Sequence, residues 1–164
     1  MSDFKWMTEA FELALKAERG GEIPVGAILI DAENQPIGYG YNGVIHTHDP
    51  TAHAEIVAIR MAANQLQNYR LDNTTLYVTL EPCFMCVGAI MHARIKRVVF
   101  GTRDFKSGAA GSMCNLFSEK QVNHFVQVDE GILQEKCSTL LVDFFKEKRG
   151  YDGSVKSCAV HNKK

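Results

Sequence analysis

Two short apolar runs separated by a helical segment constrain the fold of this chain more than any other feature. Residues 75–80 and 97–101 are rich in β-forming residues and too short for helices. Between them, Pro82 occupies a position where helices start, and residues 83–92 are mostly apolar. Strands that alternate with helices indicate a partly parallel sheet, and such a sheet is covered by helices on both faces. The sequence therefore predicts an α/β sandwich.

The spacing of apolar residues and the positions of turn residues predict the other elements. Apolar side chains at intervals of three and four mark amphipathic helices, and short apolar runs between turn residues mark strands. The predicted elements are a helix over 3–19 that ends at Gly20-Gly21, a hairpin of strands 25–30 and 37–41, a loop over 43–52, a helix over 53–66, an irregular loop over 104–115, a strand over 125–128 and a helix over 132–148. The expected architecture is a three-layer α/β/α sandwich around a five-stranded mixed sheet.

Length and composition predict one folded domain with a basic tail. The chain has 164 residues, of which 46% are hydrophobic and 23% charged, as in ordinary globular domains. We expect the domain to span residues 1–149 and the tail residues 150–164. The segment 146–164 has six basic and two acidic residues, although the net charge of the chain is only −1. Such a tail can bind a polyanion, but most are simply solvated termini.

The sequence also predicts a cytoplasmic protein. No apolar run approaches the roughly 20 residues that cross a bilayer, and the first residues lack the basic and apolar regions of a signal peptide. Its five cysteines are an odd number, which does not favour a secreted disulfide framework. We therefore expect free thiols in a reducing compartment and no membrane partner.

Two segments at predicted helix starts contain side chains suited to a metal site. They are His53-Ala54-Glu55 and Pro82-Cys83-Phe84-Met85-Cys86. Cys83 and Cys86 are three residues apart, so both sulfurs can point the same way on a first helical turn. The partial positive charge of a helix start favours thiolates. Two thiolates with the His53 imidazole form a Cys₂His set, which is typical of zinc.

A Cys₂His set leaves the fourth position of a tetrahedral zinc ion open for water. Zinc can lower the pKa of that water from 15.7 to about 7. Glu55 is close to the same site in sequence and is not needed as a ligand, so it is placed to transfer protons. Attack of hydroxide on an amidine-type ring carbon, with loss of ammonia, needs both parts.

Other interpretations of the same residues remain open. A Cys-x-x-Cys pair can also be a redox dithiol, half of a structural zinc site or two buried cysteines. A structural site would need a fourth ligand, for which the candidates are His46, His48, His92 and Cys114. The combined His-x-Glu and Pro-Cys-x-x-Cys pattern, about 30 residues apart, is the signature of zinc deaminases and favours a catalytic metal.

Longer segments resemble the bacterial tRNA-specific adenosine deaminases of the cytidine and deoxycytidylate deaminase superfamily. The resemblance runs from about Trp6 to Arg149, and it is clearest in residues 49–56, 68–71, 75–83, 97–101, 103–104, 108–112 and 123–124. It implies a cytidine-deaminase-like fold and a homodimer with the RNA site near the subunit interface. It also implies hydrolysis of adenosine to inosine at the wobble position of a tRNA anticodon, with an arginine tRNA as the expected substrate and no nucleotide cofactor.

The resemblance also implies a role for each candidate residue. One Zn²⁺ ion per subunit would be bound by His53, Cys83 and Cys86, and Glu55 would be the proton shuttle. Further roles concern the RNA: Asn42 matches the residue that contacts the base, and Asp104 and Lys106 match contacts to the backbone and sugars of the anticodon loop. The tail after Arg149 matches no pattern of this family.

Physical arguments support part of this substrate assignment, but two rival functions remain open. An unpaired base of an anticodon loop is extruded at a cost of only a few kcal/mol or less, and the Asn42 amide can donate to and accept from a purine edge. Without the resemblance, Asn42 can equally be a turn residue and Asp104 a solvated loop acid. The rival functions are a deaminase of free bases or nucleosides and a zinc-stabilised RNA-binding module.

Overall fold

The computed structural model describes residues 2–118 and 124–157, with side chains described as far as residue 150. The predicted order of helices and strands is confirmed. The elements are α1 (Asp3–Arg19), β1 (Gly26–Ile30), β2 (Pro36–Tyr41), α2 (Val44–Thr47), α3 (Ala54–Leu66), β3 (Thr75–Leu80), α4 (Phe84–His92), β4 (Arg97–Thr102), a 3-10 turn (Leu116–Ser118), β5 (Gln127–Glu130) and α5 (Gln134–Ser157).

The five strands form one mixed sheet in the order β2-β1-β3-β4-β5. Strand β1 is antiparallel to both of its neighbours, whereas β3, β4 and β5 are parallel to one another. Consequently β2, β3 and β4 all run in the same direction and end at the same edge, which we call the carboxyl edge. The segments that follow these three strands therefore start close together.

Helices cover both faces of the sheet, as the sequence predicts for a three-layer sandwich. One face packs against α3 and α4 through a large apolar cluster that includes Ala58, Val87 and Val98. The opposite face packs against α1, whose Trp6 and Met7 belong to a second cluster. Helix α5 contacts β4. No helix of the described residues is long and apolar enough to span a membrane.

Two glycines of β2 set how closely α3 approaches the sheet. A Cβ atom at Gly40 would lie 2.0 Å from the carbonyl oxygen of Ala54, and one at Gly38 would lie 2.3 Å from that of Ala58. Only a residue without a side chain fits at either position. The first turn of α3 therefore packs directly on the backbone at the end of β2.

An ion-pair network fixes α1 to the opposite edge of the sheet. The Arg97 guanidinium donates to both carboxylate oxygens of Asp3, at 2.8 and 2.9 Å, and to Asp129 at 2.7 Å. The Tyr77 hydroxyl donates to Asp3 at 2.7 Å. These bonds, chiefly the one from Arg97, lower the pKa of Asp3 to about 2. The network links the first turn of α1 to β3, β4 and β5.

The expected bounds of the last strand and last helix are wrong. The strand predicted over 125–128 is β5 at Gln127–Glu130. Its register pairs Arg97 with Gln127, and Gly131, with φ of 93°, turns the chain after the strand. The helix predicted over 132–148 is α5 at Gln134–Ser157, and the predicted loop 43–52 contains the short α2.

Helix α5 passes through the predicted boundary between domain and tail at residues 149 and 150. A single glycine inside a helix costs only about 1 kcal/mol, so Gly150 does not end it. The side chain of Phe144 in α5 is buried. The side chains of 151–157 and all of 158–164 lie outside the described residues, so the role of the tail stays a prediction.

Candidate active site

The starts of α3 and α4 meet at the carboxyl edge of the sheet. His53 and Cys83 are the N-cap residues of α3 and α4, and Cys86 lies in the first turn of α4. The Nδ1 atom of His53 is 3.6 Å from the Sγ atom of Cys83 and 3.6 Å from that of Cys86. Strands β2 and β3 run in the same direction, so α3 and α4 both begin at the carboxyl edge. His53 and Cys83, which are 30 residues apart in sequence, therefore lie in one cluster.

The electrostatics of this cluster favour a thiolate even without a metal ion. The Cys86 thiol donates a hydrogen bond to Cys83, and this bond, with a smaller contribution from His53, lowers the pKa of Cys83 to about 4. The same bond and burial raise the pKa of Cys86. The contact with Cys83 raises the pKa of His53. Thiolate sulfur is the form that binds metal.

The donor atoms are spaced as a zinc ion requires. With Zn–S of about 2.3 Å and Zn–N of about 2.0 Å, a tetrahedral ion separates nitrogen and sulfur ligands by about 3.5 Å. The observed separations are both 3.6 Å. Among residues 2–118 and 124–157, the potential metal-binding group consists of His53, Cys83 and Cys86 alone. The alternative fourth ligands His46, His48, His92 and Cys114 are not part of it, so one position remains for water or substrate.

Glu55 lies beside this cluster, in the first turn of α3, and only 4% of it is exposed. Burial raises the pKa of its carboxyl group to about 7. A carboxyl group of this pKa can accept and donate a proton near neutral pH, which is the requirement for general acid–base catalysis. Its position is compatible with a proton shuttle, because it is near the donor atoms without being one of them.

A cavity of about 280 Å³ opens over the cluster. Five of the seven sequence-predicted residues line it, namely Asn42, His53, Glu55, Cys83 and Asp104. Cys86 is fully buried and Lys106 is exposed on the loop after β4, and neither lines the cavity. The lining residues are Glu22, Ile23, Val25, Asn42, Val44, Ile45, His53, Glu55, Leu80, Glu81, Cys83, Asp104 and Ser107.

Asn42 follows β2 and is 8% exposed at the cavity wall. Its Oδ1 atom accepts a hydrogen bond from the backbone N–H of Ala54 at 2.9 Å, which fixes the orientation of the amide. Its Nδ2 atom has no hydrogen-bond partner among the described residues. From the sequence, Asn42 can contact a base or be a turn residue. In the structure, its oxygen binds the start of α3 and its NH₂ group remains available as a donor.

Asp104 and Lys106 lie on the loop after β4, which we call the 104–112 loop. The Asp104 carboxylate accepts hydrogen bonds from the backbone N–H groups of Lys106 and Ser107, at 2.9 and 3.2 Å. It therefore shapes the start of the loop as well as lining the cavity. The side chain of Phe105 between them is 78% exposed.

Sequence reasoning missed a buried carboxylate, Glu81, between β3 and the metal-donor cysteines. Its side chain is 2% exposed and hydrogen-bonded to the 104–112 loop. Its partners are mostly backbone N–H groups 23 to 31 residues later, and a backbone group leaves no trace in the amino-acid pattern. The only available signal was an acidic residue within an otherwise apolar strand–helix junction.

Comparison with protein families matches residues 1–102 to the cytidine and deoxycytidylate deaminase zinc-binding region. The tRNA-specific adenosine deaminase of Haemophilus influenzae is 56% identical over 147 residues, which cover 90% of this chain and 85% of that protein. This second match extends past the 104–112 loop, whereas the family region ends before that loop, at residue 102.

Solved structures of deaminases also match this chain. A structure from biochemical and structural studies of A-to-I editing by tRNA:A34 deaminases matches with a TM-score of 0.81 and 39% identity, covering 84% of this chain and 99% of that one. The guanine deaminase of Bacillus subtilis matches with a TM-score of 0.61 and 31% identity, covering 100% and 98% of the two chains. The cytidine-deaminase-like architecture expected from the resemblance is thereby confirmed.

Proposed function

Since this chain belongs to the cytidine and deoxycytidylate deaminase family and is a hydrolytic deaminase, we propose that its cavity converts adenosine to inosine at the wobble position of a tRNA anticodon, in an arginine tRNA. The main support is that the three metal donors form one cluster, and that the cavity beside it is lined by two of them, His53 and Cys83, with the buried Glu55 and the free amide donor of Asn42. The tRNA-specific relatives support the choice of substrate.

The three donors would hold one zinc ion in each subunit. His53 would bind through Nδ1, and Cys83 and Cys86 would bind through their sulfurs. When bound, zinc supplies Lewis acidity that brings the pKa of water to about 7. The raised pKa of Glu55 then matches the proton transfers that the reaction needs.

Glu55 is the group that moves protons in this proposal. The oxygen of water forms a bond to C6 of adenine while Glu55 takes a proton from that water. Glu55 delivers this proton to ring nitrogen N1, takes the second proton from the hydroxyl group now on C6 and delivers it to the exocyclic amine, the C6–N bond breaks, and ammonia leaves. The two protons of the water end on N1 and in ammonia, so that inosine is formed without a redox step.

The cavity suits a single extruded base. Its volume of about 280 Å³ is just below the roughly 300–1,000 Å³ typical of drug-sized ligand pockets, so the rest of an RNA must lie on the surface around it. Asn42 would donate from Nδ2 to an acceptor on the purine edge. An unpaired base in an anticodon loop enters such a cavity at little cost.

The 104–112 loop would contact the RNA that surrounds the target base. The exposed Lys106 is suited to a phosphate, and the Asp104 carboxylate is suited to a ribose 2′-hydroxyl, because a phosphate would repel it. These contacts would distinguish a tRNA substrate from a free nucleoside.

We also propose that the enzyme is a cytoplasmic homodimer. Met61 of α3 and Phe84 of α4 are 45% and 51% exposed, and a second subunit would cover such apolar side chains. The cysteines of the site must stay reduced to bind metal, which fits the cytoplasm. Sedimentation of the zinc-loaded protein would test the dimer.

The decisive experiment is to incubate the zinc-loaded protein with an arginine-tRNA anticodon stem-loop that contains a wobble adenosine, and to measure inosine at each position. A matched stem-loop with guanosine at the wobble position and adenosines elsewhere is the control. We expect inosine at the wobble position alone.

Two rival functions predict different outcomes of that experiment. The similarity to a guanine deaminase favours assays with free guanine, cytosine and adenosine in parallel. Deamination of a free base or nucleoside without reaction of the stem-loop would contradict the RNA assignment and retain the zinc chemistry. Inertness towards every substrate would favour a zinc-stabilised RNA-binding module.

A further inference from the structure

Glu81 is a buried carboxylate for which the proposed reaction has no use. It connects β3 to Pro82 and is 2% exposed. One oxygen, Oε1, accepts from the backbone N–H groups of Ala110 and Ser112, at 3.0 and 2.9 Å. The other, Oε2, accepts from the Asp104 N–H at 3.0 Å and from the Ser112 hydroxyl. All four donors belong to the 104–112 loop.

These four bonds satisfy the carboxylate. An ionised carboxylate offers about four lone-pair sites, and here each is used by a donor from the loop. Buried N–H groups without a partner cost free energy, so a change at Glu81 affects the loop at both of its ends. Both ends of the 104–112 loop are therefore hydrogen-bonded to the same carboxylate.

The same loop also rests on the segment that contains the metal donors. The N–H of Ala109 donates to the carbonyl of Pro82 at 2.9 Å, and Gly108 forms a backbone bridge with Cys83. A Cβ atom at Gly108 would lie 2.4 Å from the Glu81 carboxylate, so no larger residue fits between them. Glu81 and its neighbours thus hold the loop directly against the cluster.

The position of the 104–112 loop matters because some of its side chains face the cavity. Asp104 and Ser107 line the cavity, and Lys106 is exposed beside it. The middle of the loop consists of small residues, Gly108 to Gly111, of which Ala109 and Ala110 are buried in the large apolar cluster. The hydrogen bonds to Glu81 restrain this loop at Asp104, at its start, and at Ala110 and Ser112, near its end.

We propose that Glu81 is a positioning residue that presets the 104–112 loop for binding RNA, without contacting RNA or metal itself. A loop held in place before binding loses less conformational entropy when substrate arrives, and this improves affinity rather than the chemical step. The part that concerns RNA rests on the function proposed above. The anchoring of the loop does not, so the two can be tested separately.

Hydrogen–deuterium exchange of zinc-loaded Glu81→Gln and Glu81→Ala proteins tests the anchoring. Glutamine keeps an acceptor for Ala110 and Ser112 but turns an NH₂ group towards the Asp104 N–H, so exchange should rise most at Asp104. In Glu81→Ala, amides of the loop should exchange at least about tenfold faster, because hydrogen bonds to a charged acceptor are lost. Asp31→Ala is the matched control: this carboxylate accepts two backbone N–H groups in the β1–β2 turn, at the opposite edge.

Steady-state kinetics with the anticodon stem-loop test the consequence for RNA. We expect Glu81→Ala to raise KM by about tenfold or more, with kcat within about threefold and the zinc-to-protein ratio unchanged. Glu81→Gln should raise KM less, since it keeps one acceptor. Gly108→Ala should also raise KM, because its methyl group would lie too close to the Glu81 carboxylate. The double variant Glu81→Ala/Gly108→Ala should raise KM by less than the product of the two single effects.

Unchanged exchange in the 104–112 loop of both Glu81 variants would overturn the anchoring. Loss of zinc, or a fall in kcat at constant KM, would show that Glu81 acts on the metal cluster and would equally overturn the proposal. If Glu81→Ala does not fold, Ser112→Ala and Gly108→Ala give the same readouts. If the parent protein fails to deaminate the stem-loop, the proposed function fails, whereas the exchange result still decides the anchoring.

Discussion

The side-chain oxygen of Asn42 accepts a hydrogen bond from the backbone N–H of Ala54 at 2.9 Å. Ala54 is the first residue of α3, so this bond satisfies one of the N–H groups that every helix start leaves unpaired. The same helix start contains His53 and Glu55. The residue proposed to contact the base therefore also supports the segment that contains the candidate metal donor His53 and the proposed proton shuttle Glu55.

This double role predicts different defects for two substitutions of Asn42. Asn42→Asp keeps the oxygen that accepts from Ala54 but removes the Nδ2 donor, so zinc content should be retained while deamination of the stem-loop falls at least about tenfold. Asn42→Ala loses both groups and should also lower the free energy of unfolding by about 1–2 kcal/mol. Urea unfolding, metal analysis and kinetics separate the two effects. Equal activity of Asn42→Asp and the parent would contradict the contact with the base.

Substitution of Glu55 should separate metal binding from turnover. Glu55 is not part of the potential metal-binding group, so Glu55→Gln and Glu55→Ala should keep the zinc-to-protein ratio of the parent. Loss of the general acid–base should reduce kcat by at least about 10²-fold. Metal analysis and single-turnover assays on the stem-loop provide the measurement. Unchanged turnover would exclude Glu55 as the shuttle, and loss of zinc would make it a ligand.

The contact between Asp3 and Arg97 predicts a pH-dependent contribution to stability. The folded-state pKa of Asp3, about 2, is below its usual value of 3.8, so the contribution is fully present above about pH 5 and is lost as the pH falls towards 2. The Asp3 side chain is 35% exposed, and solvent screening limits the contribution to about 1 kcal/mol. Asp3→Asn should be less stable than the parent by about that amount at pH 7, and the difference should shrink below pH 5.

Urea unfolding of Asp3→Asn and of the parent from pH 7 to pH 3 measures this difference in stability. Any effect of pH on zinc binding is common to both proteins and cancels in the comparison. Glu9→Gln is the matched control, because Glu9 pairs with Lys5 at 3.7 Å on the exposed surface of the same helix. We expect its effect to stay within about 0.5 kcal/mol at every pH. A constant deficit of Asp3→Asn across the range would show that the carboxylate charge is not responsible.

The packing of α3 on β2 predicts opposite effects for two glycine substitutions. In Gly40→Ala, the new methyl group would lie 2.0 Å from the Ala54 carbonyl oxygen and 2.7 Å from the Ala58 nitrogen, neither of which can rotate away. We expect a loss of at least about 2 kcal/mol in the free energy of unfolding. Gly88→Ala, inside α4, meets nothing within 4 Å and should be neutral or stabilising by up to about 1 kcal/mol. Similar stability of the two variants would contradict the close contact.

Local patterns in the sequence predicted most of the fold, since they record which residues favour each element. The strand Thr75–Leu80 and the helix Asp3–Arg19 have the predicted bounds. The spacing of Cys83 and Cys86 on a helix start, with a histidine on another, likewise predicted a cluster that the structure assembles. These predictions succeed because the relevant interactions are short-range or involve side chains with characteristic chemistry.

Where the prediction failed, the deciding interactions are between residues far apart in sequence. The register of β5 depends on pairing with β4 and on the bond between Arg97 and Asp129. The role of Glu81 depends on backbone N–H groups of a later loop, and the second role of Asn42 depends on the backbone of α3. Backbone partners have no residue type, so no amino-acid pattern reveals them.

The common direction of β2, β3 and β4 places the candidate site at one end of the sheet and leaves the opposite end without any part of it. The donor atoms, the proton shuttle and the 104–112 loop all follow the carboxyl ends of these strands. The β1–β2 turn at residues 31–35 and the connection at residues 67–74 lie at the other end and contain none of them. A short insertion in the exposed β1–β2 turn should therefore leave the reaction unaltered, so a reporter sequence can be placed there.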